Sequence, residues 1–249
     1  SLINFSLKFY IPITPLIKVT VFNHFCGGVS ESDCNPVINK MYDKNVCSVL
    51  DFSTEAFKNE TEFDKCFKKK LSVIDFIKNR VDIPFTVFKP TCLGREGLFE
   101  KVSSNQKLDL KEKEEWKRVK IRFDEVCQKA FENNVKVLID AEEVSFQKAI
   151  DDLALKMMIK FNREKAIVYN TIQMYRWDRL DYMNNILSDH SDIIFGFKLV
   201  RGAYMEKERE IANRLKIKSP ICKDKESTDM NFNLAIDLVF NNLDRISFV

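Results

Sequence analysis

The feature that most constrains this chain is a rhythm: short β-rich apolar runs recur along it, each followed by a longer segment with helical spacing. The runs are VCSVLDF (46–52), IPFTVFKPT (83–91), VKVLIDAE (135–142), AIVYNTI (166–172), IIFGFKLV (193–200) and RISFV (245–249), which predict six strands. Between them Trp116, Val119, Phe123, Val126, Cys127 and Ala130 share one helical face. Phe146, Ala149, Ile150, Leu153 and Met157 form a second face, and Phe232, Ala235, Ile236, Val239, Phe240 and Leu243 a third. Strands that are apolar on both faces and separated by helices pair in parallel through crossover helices, so the fold class is α/β.

Two closures satisfy that rhythm. An open doubly wound sheet would carry a Gly-rich phosphate turn after an early strand; this chain has six glycines, and its Gly27–Gly28 pair precedes the first run. A (β/α)₈ TIM-type barrel fits better. The sixth run closes the sequence, so the expectation is a barrel truncated after its sixth strand, with two βα units absent. The expected organisation is an N-terminal helical arm over 1–45 and an incomplete barrel over 46–249.

Forty basic against thirty-seven acidic residues leave a net charge of +3, which argues against a nucleic acid or polyanionic partner. Seven cysteines without a C-x-x-C pair, and two histidines without ligand-spaced neighbours, predict reduced core thiols and no metal site. The opening stretch is broken by Pro12 and Pro15 and carries Lys8 and Lys18, so it offers no clean membrane span.

In such barrels the chemistry sits at the carboxyl ends of the strands. There the chain places Lys89 late in the second run, Asp140 and Glu142 at the end of the third, Asn170 and Gln173 at the end of the fourth, and Lys198 and Arg201 at the end of the fifth. Charges at a strand end are ordinarily where a strand meets water, but a lysine and an aspartate converging at a barrel mouth must pair or hold a ligand. The charged stretches 110–122, EKERE (206–210) and CFKKK (66–70) are expected to be solvated helix.

The segments KLVRGAYMEKER, VYNTIQMYRWDRL and VLIDAEEVSFQKAID resemble the signature segments of the proline dehydrogenase family, in that family's order. HFCGG, SVLDFSTE and SPICKDKESTDMNFNLAI resemble its neighbouring segments, so the likeness runs from about Phe22 to Val249. The resemblance implies an FAD-dependent enzyme that oxidises L-proline to 1-pyrroline-5-carboxylate and passes electrons to a quinone, with contact to a membrane surface. It places the protein in the cytoplasm at the periphery of the inner membrane, with the mitochondrial matrix as the alternative. By position it makes Lys89, Asp140 and Tyr204 the catalytic group, and Ala203 joins these three in lining the proline pocket. It assigns Asn170, Gln173, Lys198, Val200, Arg201 and Gly202 to the cofactor, Gly202 leaving room for its ring.

The sequence departs from the family pattern at Pro90, which should remove a ladder donor from a central strand and displace Lys89. The family's carboxylate-binding arginine pair would follow Val249, so the 249 residues alone are expected to bind FAD poorly and leave proline unoxidised. Three rival readings remain: a hydroxyproline dehydrogenase, an inactive remnant of the family, and a barrel lyase with Lys89 as a Schiff-base amine. The last needs a depressed lysine pKa, which a neighbouring Asp140 opposes.

Overall fold

The computed structural model describes residues 20, 22–52 and 57–249. The opening stretch and part of SVLDFSTE lie outside the described residues. Two compact units are distinguished: residues up to Ser48 with Arg80–Ile83, and Val49–Asn79 with Pro84–Val249. The first contains helix α1 (Asn35–Tyr42), started by a proline in its first turn and burying Ile38. Within it Arg80 donates to Asn35 Oδ1 at 2.7 Å and pairs with Asp82.

The second unit carries the predicted rhythm. Strand β1 (Val49–Leu50) leads to α2 (Glu60–Ile77) and then to β2 (Phe85–Phe88). Two helices follow, α3 (Glu96–Ser103) and α4 (Leu110–Glu132), then β3 (Lys136–Ile139), α5 (Val144–Phe161) and β4 (Val168–Gln173). Then come α6 (Arg179–Asp189), β5 (Phe195–Val200), α7 (Met205–Leu215), α8 (Lys225–Phe240) and β6 (Ile246–Phe248).

All six strands pair in parallel in the order β1-β2-β3-β4-β5-β6. That order never reverses, so there is no switch point, and crossovers of one hand place the helices on one face. This is the winding of a barrel and excludes the doubly wound sheet. Among the described residues β1 and β6 remain the two ends of the order.

Helix ends reflect the scarcity of glycine. Asn79, Asn105 and Asn134, each two residues past a helix, take positive φ of 68°, 54° and 54°. Asparagine is the side chain that best tolerates the left-handed cap geometry. Helix α4 starts at a capping box, in which Asp109 accepts from Glu112 N and Glu112 from Asp109 N.

Helix α5 and the strands pack as anticipated, with Phe146, Ala149, Ile150, Leu153 and Met157 buried. The third face holds only in part: Ala235 and Val239 are buried, but Phe240 and Leu243 are 58% and 54% exposed. Of the cysteines, Cys66, Cys92, Cys127 and Cys222 are core residues, whereas Cys26 and Cys47 are exposed. Among the described residues no helix is long and apolar enough to cross a membrane.

The charged stretches are less uniform than their composition predicts. Lys70 is 2% exposed, donating to Asp51 at 3.0 Å and to the Val87 carbonyl at 3.1 Å. Arg122 is buried between α2 and α4, bound to Asp64, Glu60 and the Leu93 carbonyl. Glu208 is buried and accepts from Val144 N at 2.8 Å, capping the start of α5; burial raises its pKa.

Pro90 does not interrupt a strand. Strand β2 ends at Phe88, and Pro90 opens a 3₁₀ turn, Pro90–Cys92, where its missing N–H costs no ladder bond. Lys89 keeps an extended backbone with φ −86° and ψ 127°. Pro90→Ala is therefore expected to lower stability by about 0.5 kcal/mol through a freer unfolded chain. A rise in the urea midpoint would mean that the proline had been blocking a bond.

Candidate active site

Strand register assembles the site row by row. Val87 pairs with Leu138, Leu138 with Tyr169, and Gly196 with Ser247. The same alternation puts Tyr169 beside Gly196, where an added Cβ would fall 2.8 Å from the Tyr169 ring. Val87, Leu138 and Tyr169 cluster with Phe85 and Ala166, and Tyr169 shares a hydrogen bond with Ser247 at 2.8 Å. This row is a packed floor on the sheet face that carries Phe85 and Val87.

One pleat further toward the carboxyl ends, two residues on in each strand, the same face becomes polar. Lys89 follows β2, Asp140 follows β3, Thr171 lies in β4 and Lys198 in β5. Thr171 and Lys198 are register partners, and Asp140 N donates to the Phe88 carbonyl at 3.0 Å, extending the β2–β3 ladder to this level. Lys198 Nζ reaches across β4 to Asp140 Oδ1 at 2.7 Å, with both side chains about one quarter exposed. Thr171 lies between them, 4% exposed, with its hydroxyl oxygen unpartnered. Gln173 and Val200 are register partners one pleat beyond.

The structure thus brings Lys89, Asp140, Gln173, Lys198 and Val200 to one face and one end of the sheet. Asp140 forms an ion pair with Lys198. Asn170 has the opposite parity and points to the helices. It is 1% exposed, and its amide donates to Asp151 Oδ1 at 2.9 Å. Asp151 also accepts from Gln147 at 2.9 Å and from Arg179 at 2.6 Å. Much of the signature VYNTIQMYRWDRL is therefore framework: Asn170 and Arg179 lock β4 and α6 to α5, while Arg176 and Arg179 share Asp178.

Beyond β5 the chain turns outward. Arg201 is half-exposed, donates to Asp229 on α8 at 2.6 Å and lies over the Phe232 ring, tying the turn to that helix. Gly202 has φ +132°, and a Cβ there would meet the Tyr175 ring, with Cγ 2.6 Å away. The room this glycine leaves is filled by Tyr175. Ala203 is exposed, and Tyr204 is half-buried at the start of α7. Gly202→Ala should cost about 1–3 kcal/mol by overpacking and strain, read as a lower denaturation midpoint. An unchanged midpoint would contradict this packing.

Glu142 stands apart from the residues that strand-end reasoning ranks first. It is 6% exposed; its carboxylate accepts from Thr91 N at 3.0 Å and from Thr91 Oγ1 at 2.6 Å. Its N–H donates to Gln147 at 2.8 Å, and its carbonyl accepts from Gln173 Nε2 at 2.8 Å. Burial pushes its pKa up to about 7, against the opposing pull of the Thr91 bonds and the Lys89 charge. The sequence places Glu142 beside Asp140 at the end of the third run but gives it no role, because its partners Thr91, Gln147 and Gln173 come from other elements.

A parallel sheet of barrel winding, with an apolar floor and a charged row at its carboxyl edge, defines a TIM-type barrel with a strand-end site. A sequence profile of the family described as Proline dehydrogenase matches residues 34–249, and the chain belongs to that family. It is 31% identical to the carbapenem antibiotics biosynthesis protein CarD of Pectobacterium carotovorum subsp. carotovorum, over 90% of this chain and 59% of that protein. It is 27% identical to Proline dehydrogenase 1, mitochondrial, of Dictyostelium discoideum, over 93% of this chain and 48% of that one.

Among solved structures, proline utilization A from Bdellovibrio bacteriovorus, inactivated by N-propargylglycine, superposes with a TM-score of 0.79 at 20% identity. The superposition covers 97% of this chain and 27% of that one, a likeness of fold. The chain spans about half the length of the curated relatives it matches.

Proposed function

We propose that the protein is an FAD-dependent proline dehydrogenase, oxidising L-proline to 1-pyrroline-5-carboxylate and delivering the electrons to a quinone. The observation that carries this reading is the row Lys89, Asp140, Thr171 and Lys198, which lies within the family-matched span at the strand end where barrel enzymes place their chemistry.

The residues fit a flavin. A cation, an amide and a buried hydroxyl without a partner converge at one edge, which is the donor set that the carbonyls and ring nitrogens of an isoalloxazine require. Lys198 and Gln173 would hold that polar edge, with Val200 as the apolar neighbour of Gln173 in register. When bound, FAD supplies the acceptor for the hydride leaving the proline ring carbon.

The chain's own residues do the rest. Asp140 gives one oxygen to Lys198 and offers the other to the substrate amine, a cation in water whose proton must leave as the C=N bond forms. Lys89 stands on the same row and would line the proline pocket with Asp140. Tyr204 and Ala203, at the mouth after β5, would close over the ring and limit water. The Tyr169 floor keeps the pocket shallow, so that a small cyclic amino acid sits at the level of the charged row. Relatives named mitochondrial support the mitochondrion as the alternative to the cytoplasm.

The test is direct. Protein expressed from its whole reading frame and loaded with FAD should lose the oxidised-flavin absorbance when L-proline is added without oxygen, and lose it more slowly with 4-hydroxyproline. Absorbance untouched by either amino acid would sink the proposal, and a faster response to hydroxyproline would reassign the substrate.

A further inference from the structure

Three strand ends, those of β2, β3 and β4, converge on one acid. Glu142 follows β3; its carboxylate holds Thr91, two residues beyond Lys89, and its carbonyl holds Gln173 at the end of β4. Its own N–H is anchored by Gln147 on α5, itself buried and bound to Asp151. We propose that Glu142 is the positioning residue of this site, a proton-sensitive clasp that fixes the placement of Lys89 in the charged row and of Gln173 one pleat beyond it, and sets the charge beside them. The inference rests on the functional reading above.

The charge count is simple. Ionising Glu142 adds one negative charge beside the row that holds Lys89, Asp140 and Lys198. Among the described residues, Lys89 beyond β2 favours its anion, Glu96 at the start of α3 opposes it, and the buried Cys92 thiol lies in the same turn. Buried 6% exposed behind Thr91, the carboxyl meets little solvent, and raising its pKa to about 7 puts the change within the neutral range.

The clasp survives both states but reverses one bond. As an anion Glu142 accepts from both Thr91 donors; as an acid it keeps the Thr91 N–H and donates its own proton to Thr91 Oγ1. Protonation therefore changes the field at the row with little change of framework, which is the property of a positioning group and not of a strut.

The sign of the linkage is fixed. The folded protein holds a proton that the unfolded chain loses near 4.5, so stability falls as pH rises from about 4.5 to about 7.

Glu142→Gln imitates the protonated acid. In the FAD-loaded whole protein, kcat/KM for proline should show an inflection near pH 7 in the wild type and none in Glu142→Gln, with flavin content unchanged. The Thr91 amide proton, followed by NMR, should shift across the same pH range in the wild type only. An inflection of the same size and position in Glu142→Gln overturns the proposal. So does a wild-type Thr91 amide that does not titrate above pH 5.5, a result readable even if the protein leaves proline untouched and only the functional reading fails. If Glu142→Gln does not fold, Thr91→Val removes the hydroxyl donor alone and should move the inflection to higher pH; no movement overturns the proposal equally.

Discussion

Asp140→Asn should lower kcat/KM for proline on the order of a hundredfold, the scale on which removing one preorganised charge from a reacting centre acts, while leaving the fold intact. The side chain is placed for this outcome. It is about one quarter exposed, bonded to Lys198 and set on the polar row above an apolar floor. A pair that open to solvent adds only about 1 kcal/mol to stability, so the denaturation midpoint should move little. Asparagine keeps the shape and can still accept from Lys198, but it no longer neutralises that cation or the substrate amine. Steady-state kinetics with a parallel melting curve separate the two effects. Unchanged kinetics, or an activity loss matched by unfolding, would show that Asp140 is a surface ion-pair residue and nothing more.

The second large effect lies on the helix-covered face of the sheet, where Asp151 of α5 holds Asn170 of β4 and Arg179 of α6. Asp151→Ala should destabilise the protein by about 3–5 kcal/mol, because Arg179 would be left buried without its carboxylate. Arg179 is 8% exposed and Asp151 5%. Asn170 and Gln147 lose their acceptor together with it. For a chain of this size the melting temperature should fall on the order of 10 °C. Asp151→Asn should be milder, since the amide still accepts one bond. A melting curve within two or three degrees of the wild type would contradict the lock between α5, β4 and α6.

The contrast between Asp140 and Asp151 also marks what the sequence made legible. All six strands and their parallel order follow from apolar runs alternating with helical faces, because burial on both sides of a strand needs nothing beyond local composition. That same double burial hides parity. In VYNTIQ every residue is buried, so no polar alternation shows that Thr171 and Gln173 face the site while Asn170 faces the helices. Only the register with β3 and β5 separates them.

The charged residues that composition assigned to solvent failed for a related reason. Lys70, Arg122 and Glu208 find partners 17 to 64 residues away. Helical periodicity places such side chains on a polar face but cannot see the carboxylate or the bare helix end that another element brings to meet them. Gly202 was legible as a constraint and not as to its occupant, since a missing Cβ says that something comes close but not that it is the Tyr175 ring.

The central claim is that Lys89, Asp140, Thr171, Gln173 and Lys198 form one ligand-holding rim. A crystal structure of the whole protein with FAD and cyclopentane carboxylate, which has no amine to oxidise, tests it most directly. The account predicts that the isoalloxazine contacts Gln173 and Lys198, with the analogue between it and the Lys89–Asp140 side of the row. Flavin bound among the outer helices, or a row untouched by either ligand, would contradict it.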